Sequence, residues 1–535
     1  MRSSRALLAS LLAAPFLIGA EPRPLALRHV TFDLPGPPVE LVPADLNGDG
    51  LTDLLVPVVY TQYEENAYER VDGLIHITEV VPALLDRREL RGWLAQPDGT
   101  YRMVEPPLAL PASVHSVEAG PPGAPAIALT DEGVATVRLR ERSGSSGGGA
   151  ELVLEPLISD PPVLAGSGSY LPGLEMASDL DGDRIPDLML PARDGPAVYL
   201  AAGKGFAPAP ASRLTMPGDE SRAGGVIRRD YPIPRVEDVD ADGHGDLVLE
   251  NGESGGDDII VLRGLGSGRF APPRTIRVGC LGAPDSSGDS DLIFFGDLDG
   301  DRRAEGVTST EKGDDEGLKE AKEPHVDLRF HHLREDLTFD PAPYQEVEVR
   351  GYPFGGDFPD FNGSGFRDLD GDGRKDLVTI TLDFSVLQIV RVLATKRVGI
   401  GLDFHVWAQD AGGRFHEVPG LDLSEKIQVD FNDLKLGRFA QFNGDFDGDG
   451  RIDFLHLGRG RTVTIHRGQP GCRYAPKPDL AIELTEEPED LALVQVRDLD
   501  GDGRSDLAVT RPEKPEEPGA SAHVKLDLYL SRSLQ

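Results

Sequence analysis

A nine-residue acidic pattern, Asp-x-Asp-x-Asp-Gly-x-x-Asp followed by apolar residues, recurs seven times along this chain of 535 residues. The copies cover residues 45–53, 179–187, 238–246, 297–305, 368–376, 445–453 and 498–506. A pattern repeated this faithfully indicates a repeat architecture, in which each unit is one supersecondary element that packs against its neighbours. The length therefore does not by itself imply several domains.

The spacing of the copies predicts eight units rather than seven. The gap from Asp45 to Asp179 is close to double the other gaps, so a further unit is expected inside it. Residues 117–129 fit this expectation because they keep the small turn residues and the following apolar stretch but lack the carboxylates. We expect eight units, of which seven carry acidic loops, and seven units remain the alternative.

Each unit also has a second half, in which a strand-like stretch leads to a glycine-containing turn and an aromatic residue. This half is seen in residues 93–101, 198–206, 261–270 and 407–415. Four short antiparallel strands in a unit of this size are typical of one propeller blade. The sequence therefore predicts an all-β fold, a closed β-propeller of four-stranded blades over residues 21–535, with Trp93 and Trp407 in its core.

Two short helical insertions are expected between the second and third strands of a blade. Residues 384–400 read as a helix because Ser385 and Gln388 have the spacing of a capping box. Residues 78–88 resemble that segment. The chain ends also predict how the ring closes. Residues 524–530 form the third strand of the last unit, and residues 28–34 have no blade of their own. Pairing the two would leave no open sheet edge.

The acidic pattern has the ligand spacing of a calcium loop. Calcium takes six to eight oxygen ligands, and a tight loop supplies them from the side chains at positions 1, 3, 5 and 9 and the carbonyl of position 7. We predict about seven Ca²⁺ sites, with these ligands: Asp45, Asn47, Asp49, Leu51 and Asp53; Asp179, Asp181, Asp183, Ile185 and Asp187; Asp238, Asp240, Asp242, His244 and Asp246; Asp297, Asp299, Asp301, Arg303 and Glu305; Asp368, Asp370, Asp372, Arg374 and Asp376; Asp445, Asp447, Asp449, Arg451 and Asp453; Asp498, Asp500, Asp502, Arg504 and Asp506.

Other interpretations of the loops fit the sequence less well. An EF-hand needs a glutamate at position 12 and flanking helices, whereas that position here is an apolar residue such as Val56 in a strand-like run. A dockerin-like pair needs two closely spaced loops. A solvated acidic turn without metal is the remaining alternative. Glycine at position 6 permits the sharp turn, and Arg184 and Arg302 replace it in two copies.

The units resemble FG-GAP/VCBS repeats, the family that includes the integrin alpha-chain propellers. The resemblance rests on the seven loops and covers nearly all of the chain after its first residues. It implies a calcium-binding propeller of seven or eight blades. The acid-free unit near residue 120, Asn47 at position 3 and Glu305 at position 9 depart from the family pattern.

The first 20 residues are typical of a signal peptide. Arg2 and Arg5 precede the apolar run 6–17, and small residues end the segment at Ala20. We therefore expect a secreted protein, extracellular or periplasmic. The formal net charge of −37 argues against nucleic-acid binding, and no later stretch reaches transmembrane length. An oxidising compartment would permit a disulfide between Cys280 and Cys472, and two buried thiols are the alternative.

The acidic loops are expected on one face of the ring and the long insertions on the other. These insertions are residues 57–90, 310–323 and 384–400, the first of which contains Tyr60, Tyr63 and Tyr68. We expect a binding or adhesion module whose partner is a glycan or an extracellular protein, and a scaffold that docks proteins at a cell surface is a further possibility. No nucleophile elbow, zinc-binding helix or phosphate loop is present. A calcium-dependent polysaccharide lyase or hydrolase is the alternative, because some propellers that resemble these repeats degrade polysaccharides.

Overall fold

The computed structural model describes residues 25–533 apart from 64–83, 121–123, 143–148, 163–175, 204, 224–225, 231–233, 251–257, 279–280, 282–290, 312–324, 355–364, 384–396, 420–422, 431–439, 458–459, 489–493 and 514–522. Within these residues every regular element is a β-strand. No described segment forms a helix long and apolar enough to cross a membrane.

The strands form eight antiparallel blades in a ring, numbered here from the blade with the first acidic loop. Blades 1 to 4 contain β2 (Val42–Ala44), β3 (Asp53–Tyr63), β4 (Leu84–Ala95), β5 (Tyr101–Met103) and β6 (Leu108–Ala109); β7 (Val114–Glu118), β8 (Ile127–Thr130), β9 (Gly133–Glu141) and β10 (Ala150–Ile158); β11 (Ala177–Ser178), β12 (Asp187–Leu190), β13 (Ala197–Tyr199), the hairpin β14 (Ala201–Ala202) and β15 (Gly205–Phe206), and β16 (Ser212–Arg213); β19 (Arg235–Glu237), β20 (Asp246–Glu250), β21 (Ile259–Leu262) and β22 (Arg274–Ile276). The hairpin β17 (Asp219–Ala223) and β18 (Val226–Asp230) joins blades 3 and 4.

The second half of the ring repeats the same order of strands. Blades 5 to 8 contain β23 (Asp291–Asp297), β24 (Ala304–Glu311), β25 (His325–His332) and β26 (Gln345–Arg350); β27 (Tyr352–Pro353), β28 (Phe366–Arg367), β29 (Asp376–Asp383), β30 (Arg397–Gln409), β31 (Phe415–Glu417) and β32 (Ser424–Asp430); β33 (Ala440–Gly444), β34 (Asp453–Leu457), β35 (Thr462–His466), the hairpin β36 (Gly468–Gln469) and β37 (Arg473–Tyr474), and β38 (Leu480–Glu483); β39 (Val494–Arg497), β40 (Asp506–Pro512), β41 (Val524–Ser533) and β1 (Leu25–Leu34). The prediction of eight blades is confirmed, and the alternative of seven is wrong.

Blade 2 is the predicted unit without acids. Its first two strands, β7 and β8, pair antiparallel across the segment in which the carboxylates are missing. Its apolar residues pack like those of the other blades, since Ile127, Ala128 and Leu129 are all buried. A blade therefore forms here without an acidic loop, because the hydrophobic faces alone are sufficient to seat it.

Ring closure is achieved as the sequence predicts. β1 pairs antiparallel with β41 over ten residues, from Leu25 opposite Ser533 to Leu34 opposite Val524. The N-terminal strand thereby becomes the fourth strand of blade 8, beside three strands from the C-terminal end. An eight-bladed ring closed in this way leaves no blade with a missing strand.

The hydrophobic core lies between blades. Eight clusters of buried side chains are described, and each combines residues of two successive blades, including one that joins blade 8 to blade 1. In this closing cluster Trp93 of blade 1 stacks on Phe32 of β1 with ring centroids 4.6 Å apart. Trp407 is buried in the cluster between blades 5 and 6, where its Nε1–H donates to Thr379 Oγ1 at 3.2 Å. Both tryptophans are core residues, as predicted.

The expected helical insertions are corrected where the structure describes them. Residues 84–88 belong to β4 and residues 397–400 belong to β30, so neither segment is helical. Residues 78–83 and 384–396 lie outside the described residues. Strand β3 also continues through Tyr63, with Pro57 opposite Leu90, so much of the expected insertion 57–90 is a regular extension of the sheet. In the described residues, backbone pairing across the ladders places these segments in strands.

Deletion of residues 21–34 should destabilise the whole propeller. The variant exposes one edge of β41 and half of the cluster that joins blades 8 and 1, since Phe32 and Leu34 are buried there. We expect a fall in melting temperature of 10 °C or more, measured by circular dichroism, because burial of two large side chains and a strand is lost (on the order of several kcal/mol). An unchanged melting temperature would contradict the closure described here.

Candidate metal loops

Every acidic nonapeptide connects the first and second strands of a blade. The residue at position 9 begins the second strand in six blades, as Asp53 begins β3, and it is the second residue of β24 in blade 5. In an antiparallel blade this connection lies at the same end as the hairpin between the third and fourth strands. The seven loops and these hairpins therefore share one face, which we call the loop face.

The aspartate at position 1 closes the turn. In blade 1 the Asp45 carboxylate accepts hydrogen bonds from the N–H groups of Gly48 at 2.7 Å and Gly50 at 3.0 Å. Gly50 has a φ of 83°, in the left-handed region that favours glycine. Arg184 and Arg302 adopt the same conformation, with φ of 68° and 69°. The loops of blades 3 and 5 therefore keep this turn, although they lack glycine at position 6.

The carboxylate at position 5 is partly used within its own loop. Asp49 Oδ1 accepts the N–H of Leu51 at position 7, at 2.8 Å. The equivalent bond is present in all six of the remaining acidic loops. The bond fixes the carboxylate over the turn. Its second oxygen, Oδ2, is left to face solvent, a cation or another side chain.

The acid at position 9 is the buried anchor of each loop. Asp453 is almost fully buried, and it accepts the N–H of Phe446 at 2.8 Å through Oδ2 and the N–H of Gly468, on the third strand side, at 2.9 Å through Oδ1. The corresponding pair of bonds is present in blades 1, 3, 4, 6 and 8. One carboxylate thus ties the loop to two strands, a structural role that the ligand pattern alone did not indicate.

Burial makes these anchor carboxylates poor anions in the absence of a cation. It raises the pKa of Asp53, Asp187 and Asp246 to about 6, and the pKa of Asp453 and Asp506 to about 7. The neighbouring loop aspartates raise them further. The pKa of Asp376 is also raised by burial.

The oxygen at position 3 gives the clearest indication of a missing partner. Oδ1 of Asp370, Asp447 and Asp500 is buried and accepts no hydrogen bond. A buried carboxylate oxygen without a partner is costly. Burial, together with the charge of the adjacent Asp502, raises the pKa of Asp500 to about 6.

Side chains within the loops of blades 3 to 6 converge closely enough to share an ion. Ligand atoms lie within 4.8 Å of one another in groups that include Asp179, Asp181 and Asp187 in blade 3, and Asp238, Asp240 and Asp246 in blade 4. An all-oxygen, multiply charged set with an unpartnered buried oxygen suits a hard divalent cation such as Ca²⁺. The side chains at positions 1, 3, 5 and 9 therefore fit the group, and the carbonyl of position 7 stays a prediction.

Neighbouring loops contact one another around the ring. The N–H at position 8 donates to the preceding loop in four places: Ala304 to Val239 O, Lys375 to Leu298 O, Ile452 to Leu369 O and Ser505 to Asp445 O, at 2.7–3.0 Å. In blade 7 the hairpin between strands three and four also reaches back, because Gly471 N–H donates to Asp370 Oδ2 at 2.7 Å. The loops of blades 4 to 7 are therefore each supported by the next blade, a contact that sequence reasoning missed.

Cys472 lies beside the loop of blade 6. It is a buried free thiol, and it hydrogen-bonds to the Asp376 carboxylate. Its sulfur lies within 4.8 Å of ligand atoms of Asp370 and Asp376. The alternative of buried thiols is confirmed for Cys472, and the disulfide is not formed there; Cys280 lies outside the described residues.

Blade 5 has a modified anchor. Glu305 replaces aspartate, and its Oε2 accepts the N–H of Leu298 at 2.9 Å while Oε1 lies 3.3 Å from His332 Nδ1. Burial raises the pKa of Glu305 to about 8. His332 stacks on Tyr344 with centroids 4.0 Å apart, whereas His331 is buried against Asp340 O. The two histidines face opposite ways, as adjacent residues of a strand do.

Comparison with known proteins adds little to this description. No protein-family model matches the chain, and no curated protein matches it. Among solved structures, a chain of the Tc holotoxin pore of Photorhabdus luminescens aligns with 94% of this chain at 12% sequence identity and a TM-score of 0.18. This chain covers 27% of that chain, and a superposition this poor carries no argument.

The stability of the metal-free protein should fall as pH rises from about 4 to about 7. The anchor carboxylates have raised pKa values in the folded state, so the folded protein holds protons more tightly than the unfolded chain. Their contribution is complete below the unfolded value of about 4 and is lost as pH passes the folded values. Thermal melts in chelator between pH 4.5 and 8 measure this slope.

The control for this pH dependence is ionic strength. Repulsion among exposed acids also grows with pH, but 0.5 M NaCl screens it and leaves buried carboxylates largely unscreened. The decline should therefore persist in salt. A melting temperature that rises with pH in chelator and salt would show that the anchors are not the controlling groups.

Proposed function

We propose that this chain is an exported, calcium-stabilised propeller of the FG-GAP/VCBS type that acts as an extracellular binding or adhesion module for a glycan or a protein partner. The observation that carries the calcium part is the buried, unpartnered position-3 oxygen of Asp370, Asp447 and Asp500 within converging carboxylates. The family resemblance of the loops and the signal-peptide pattern of residues 1–20 support the rest.

Calcium would compensate the main electrostatic cost of the fold. Three carboxylates converge in loops such as those of blades 3, 4 and 6, and the net charge of the chain is −37. A dication would neutralise the position-3 and position-9 oxygens without displacing the backbone N–H groups bound to the anchor, because each carboxylate oxygen has two lone pairs. The ion would therefore reinforce a turn that the hydrogen bonds already define.

Chelation should lower the melting temperature strongly. A site with a dissociation constant near 0.1–1 mM contributes about 1.4 kcal/mol at tenfold excess of calcium, and several sites act on one cooperative ring. We expect a fall of 10 °C or more in chelator, reversed by Ca²⁺ and to a smaller extent by Mg²⁺, which demands a stricter octahedral geometry. Equal melting temperatures with calcium and with chelator would remove calcium from this proposal.

The face opposite the loops has the larger projections. The β3–β4 ladder extends from Pro57 to Tyr63 opposite Leu84 to Leu90, and the start of β30 pairs with β32 from Arg397 onward. The β17–β18 hairpin joins two blades at this end. The projecting strands offer backbone and side-chain surface to a binding partner. The loop face consists of tight turns and offers less of such surface.

The tyrosines expected at this face are only partly described. Tyr60 packs against the cluster between blades 8 and 1, and its hydroxyl lies 3.5 Å from Glu89 Oε2. Tyr60 therefore supports the ladder rather than standing free. Tyr68 lies outside the described residues, and only the backbone of Tyr63 is described. The ladder as a whole remains the proposed contact region.

A polysaccharide panel in millimolar calcium tests the binding role. We expect retention of the protein on one glycan class, without new chain ends, as a binding module requires. A protein lacking residues 64–83 should lose retention but keep its calcium-dependent melt, because the loops lie on the other face. New chain ends would instead identify a lyase or hydrolase, and neither retention nor cleavage would favour a protein partner.

A further inference from the structure

The side chain at position 7 divides the seven loops into two kinds. It is arginine in blades 5 to 8, whereas blades 1, 3 and 4 carry Leu51, Ile185 and His244. Only the carbonyl of this position enters the predicted ligand set, so its side chain is free to vary. The structure shows that the arginines of blades 6, 7 and 8 turn back onto their own loops.

In these three blades the guanidinium contacts the position-5 carboxylate. Arg374, Arg451 and Arg504 form ion pairs with Oδ2 of Asp372, Asp449 and Asp502 respectively. A second contact orients the guanidinium, because Arg451 Nε donates to Gly468 O at 3.0 Å. Asp449 Oδ1 is bonded to the N–H of Arg451, so both oxygens of this carboxylate have partners.

Blade 7 has a second cation in the same loop. Arg467 Nε lies 3.2 Å from Asp447 Oδ2, and the Arg467 side chain is 9% exposed. Two guanidinium groups therefore stand over positions 3 and 5 of one loop. A dication that enters this site must share those carboxylates with two fixed positive charges.

The loop of blade 3 is the opposite case. It has aspartate at positions 1, 3, 5 and 9, and the Ile185 side chain is 43% exposed and uncharged. Arg184, at position 6, forms no ion pair with these carboxylates among the described residues. Asp183 Oδ1 accepts the N–H of Ile185 at 2.7 Å, and no cation is described at its other oxygen. The full negative charge of this loop remains available to an ion.

We propose that the arginines act as built-in counter-ions, so that the blade 3 loop binds calcium more tightly than the blade 7 loop and fills first. This inference rests on the proposed calcium binding. Coulomb repulsion between a guanidinium and a dication in the same loop weakens binding, and the effect is moderated by solvent. The same arginines keep blades 6 to 8, including the blade that closes the ring, closer to neutral when calcium is scarce.

Hydrogen exchange measured by mass spectrometry across a calcium titration tests the order of filling. Protection of Asp187–Leu190 reports on blade 3, and protection of Asp453–Leu457 reports on blade 7. We expect the half-protection concentration to be about tenfold lower for blade 3 than for blade 7. Equal midpoints, or an earlier transition in blade 7, would overturn the inference.

Reciprocal substitutions at position 7 provide the matched variants. Arg451→Leu gives blade 7 the side chain found in blade 1, and Ile185→Arg gives blade 3 the side chain found in blade 7. We expect the first to lower the blade 7 midpoint and the second to raise the blade 3 midpoint, each about tenfold. Arg461→Leu is the control, because Arg461 pairs with Glu483 in blade 7 and not with the loop.

Failure of this inference can be separated from failure of the proposed function. Equilibrium dialysis of the unsubstituted protein counts bound calcium directly. If calcium binds but neither reciprocal variant moves its own midpoint relative to Arg461→Leu, the counter-ion role is wrong and calcium binding stands. If no calcium binds at millimolar concentration, both the inference and the calcium part of the function are wrong.

Discussion

The buried acid at position 9 is the contact on which the blades with acidic loops depend. In six of them one aspartate accepts an N–H from its own loop and another from the third strand, so the turn, the second strand and the third strand share one anchor. A neutral amide could not replace it, because it offers a single acceptor to two donors. The cost is a carboxylate held away from water, which raises the pKa of Asp453 and Asp506 to about 7.

The loops form a connected belt rather than seven separate sites. Backbone bonds such as Lys375 N–H to Leu298 O link the loops of blades 4 to 8 in series, and the hydrophobic clusters are likewise shared between successive blades. A repeat protein whose units contact mainly their neighbours spreads a local change to adjacent units first. Blade 2 has no acidic loop, and its described strands are seated by packing against blades 1 and 3.

Much of this architecture could be predicted from the sequence because its signals are local and repeated. The nonapeptide specifies the turn and the start of the second strand, and its spacing exposed the degenerate blade around Ile127. The helices expected near Ser385 and Thr78 rested on local capping and apolar patterns, and long-range pairing instead placed residues 397–400 and 84–88 in strands. A local sequence pattern does not reveal such a ladder, because the partner strand is distant in the sequence.

The contacts missed from the sequence are those between blades or between side chains that no ligand rule includes. Gly471 and Asp370 lie 101 residues apart, and nothing in either segment identifies the other. In the sequence, Arg451 was a predicted ligand only through its backbone carbonyl. The ion pair between its guanidinium and the Asp449 carboxylate was therefore not predicted. In blades 6, 7 and 8 the arginine pairs with the carboxylate two residues before it in the chain, a spacing that is visible in the sequence.

The pairing of β1 with β41 also orders events in time. β1 can find its partner only after β41 has been synthesised, so the closing blade cannot be completed before that point. Joining segments some 500 residues apart carries a loop-closure entropy cost that grows only with the logarithm of length. Blades that have already folded shorten the effective length of the loop between the two strands and so lower this cost. Until β1 pairs with β41, its apolar residues Phe32 and Leu34 are exposed. In this interval the protein is most prone to aggregate or to bind a chaperone.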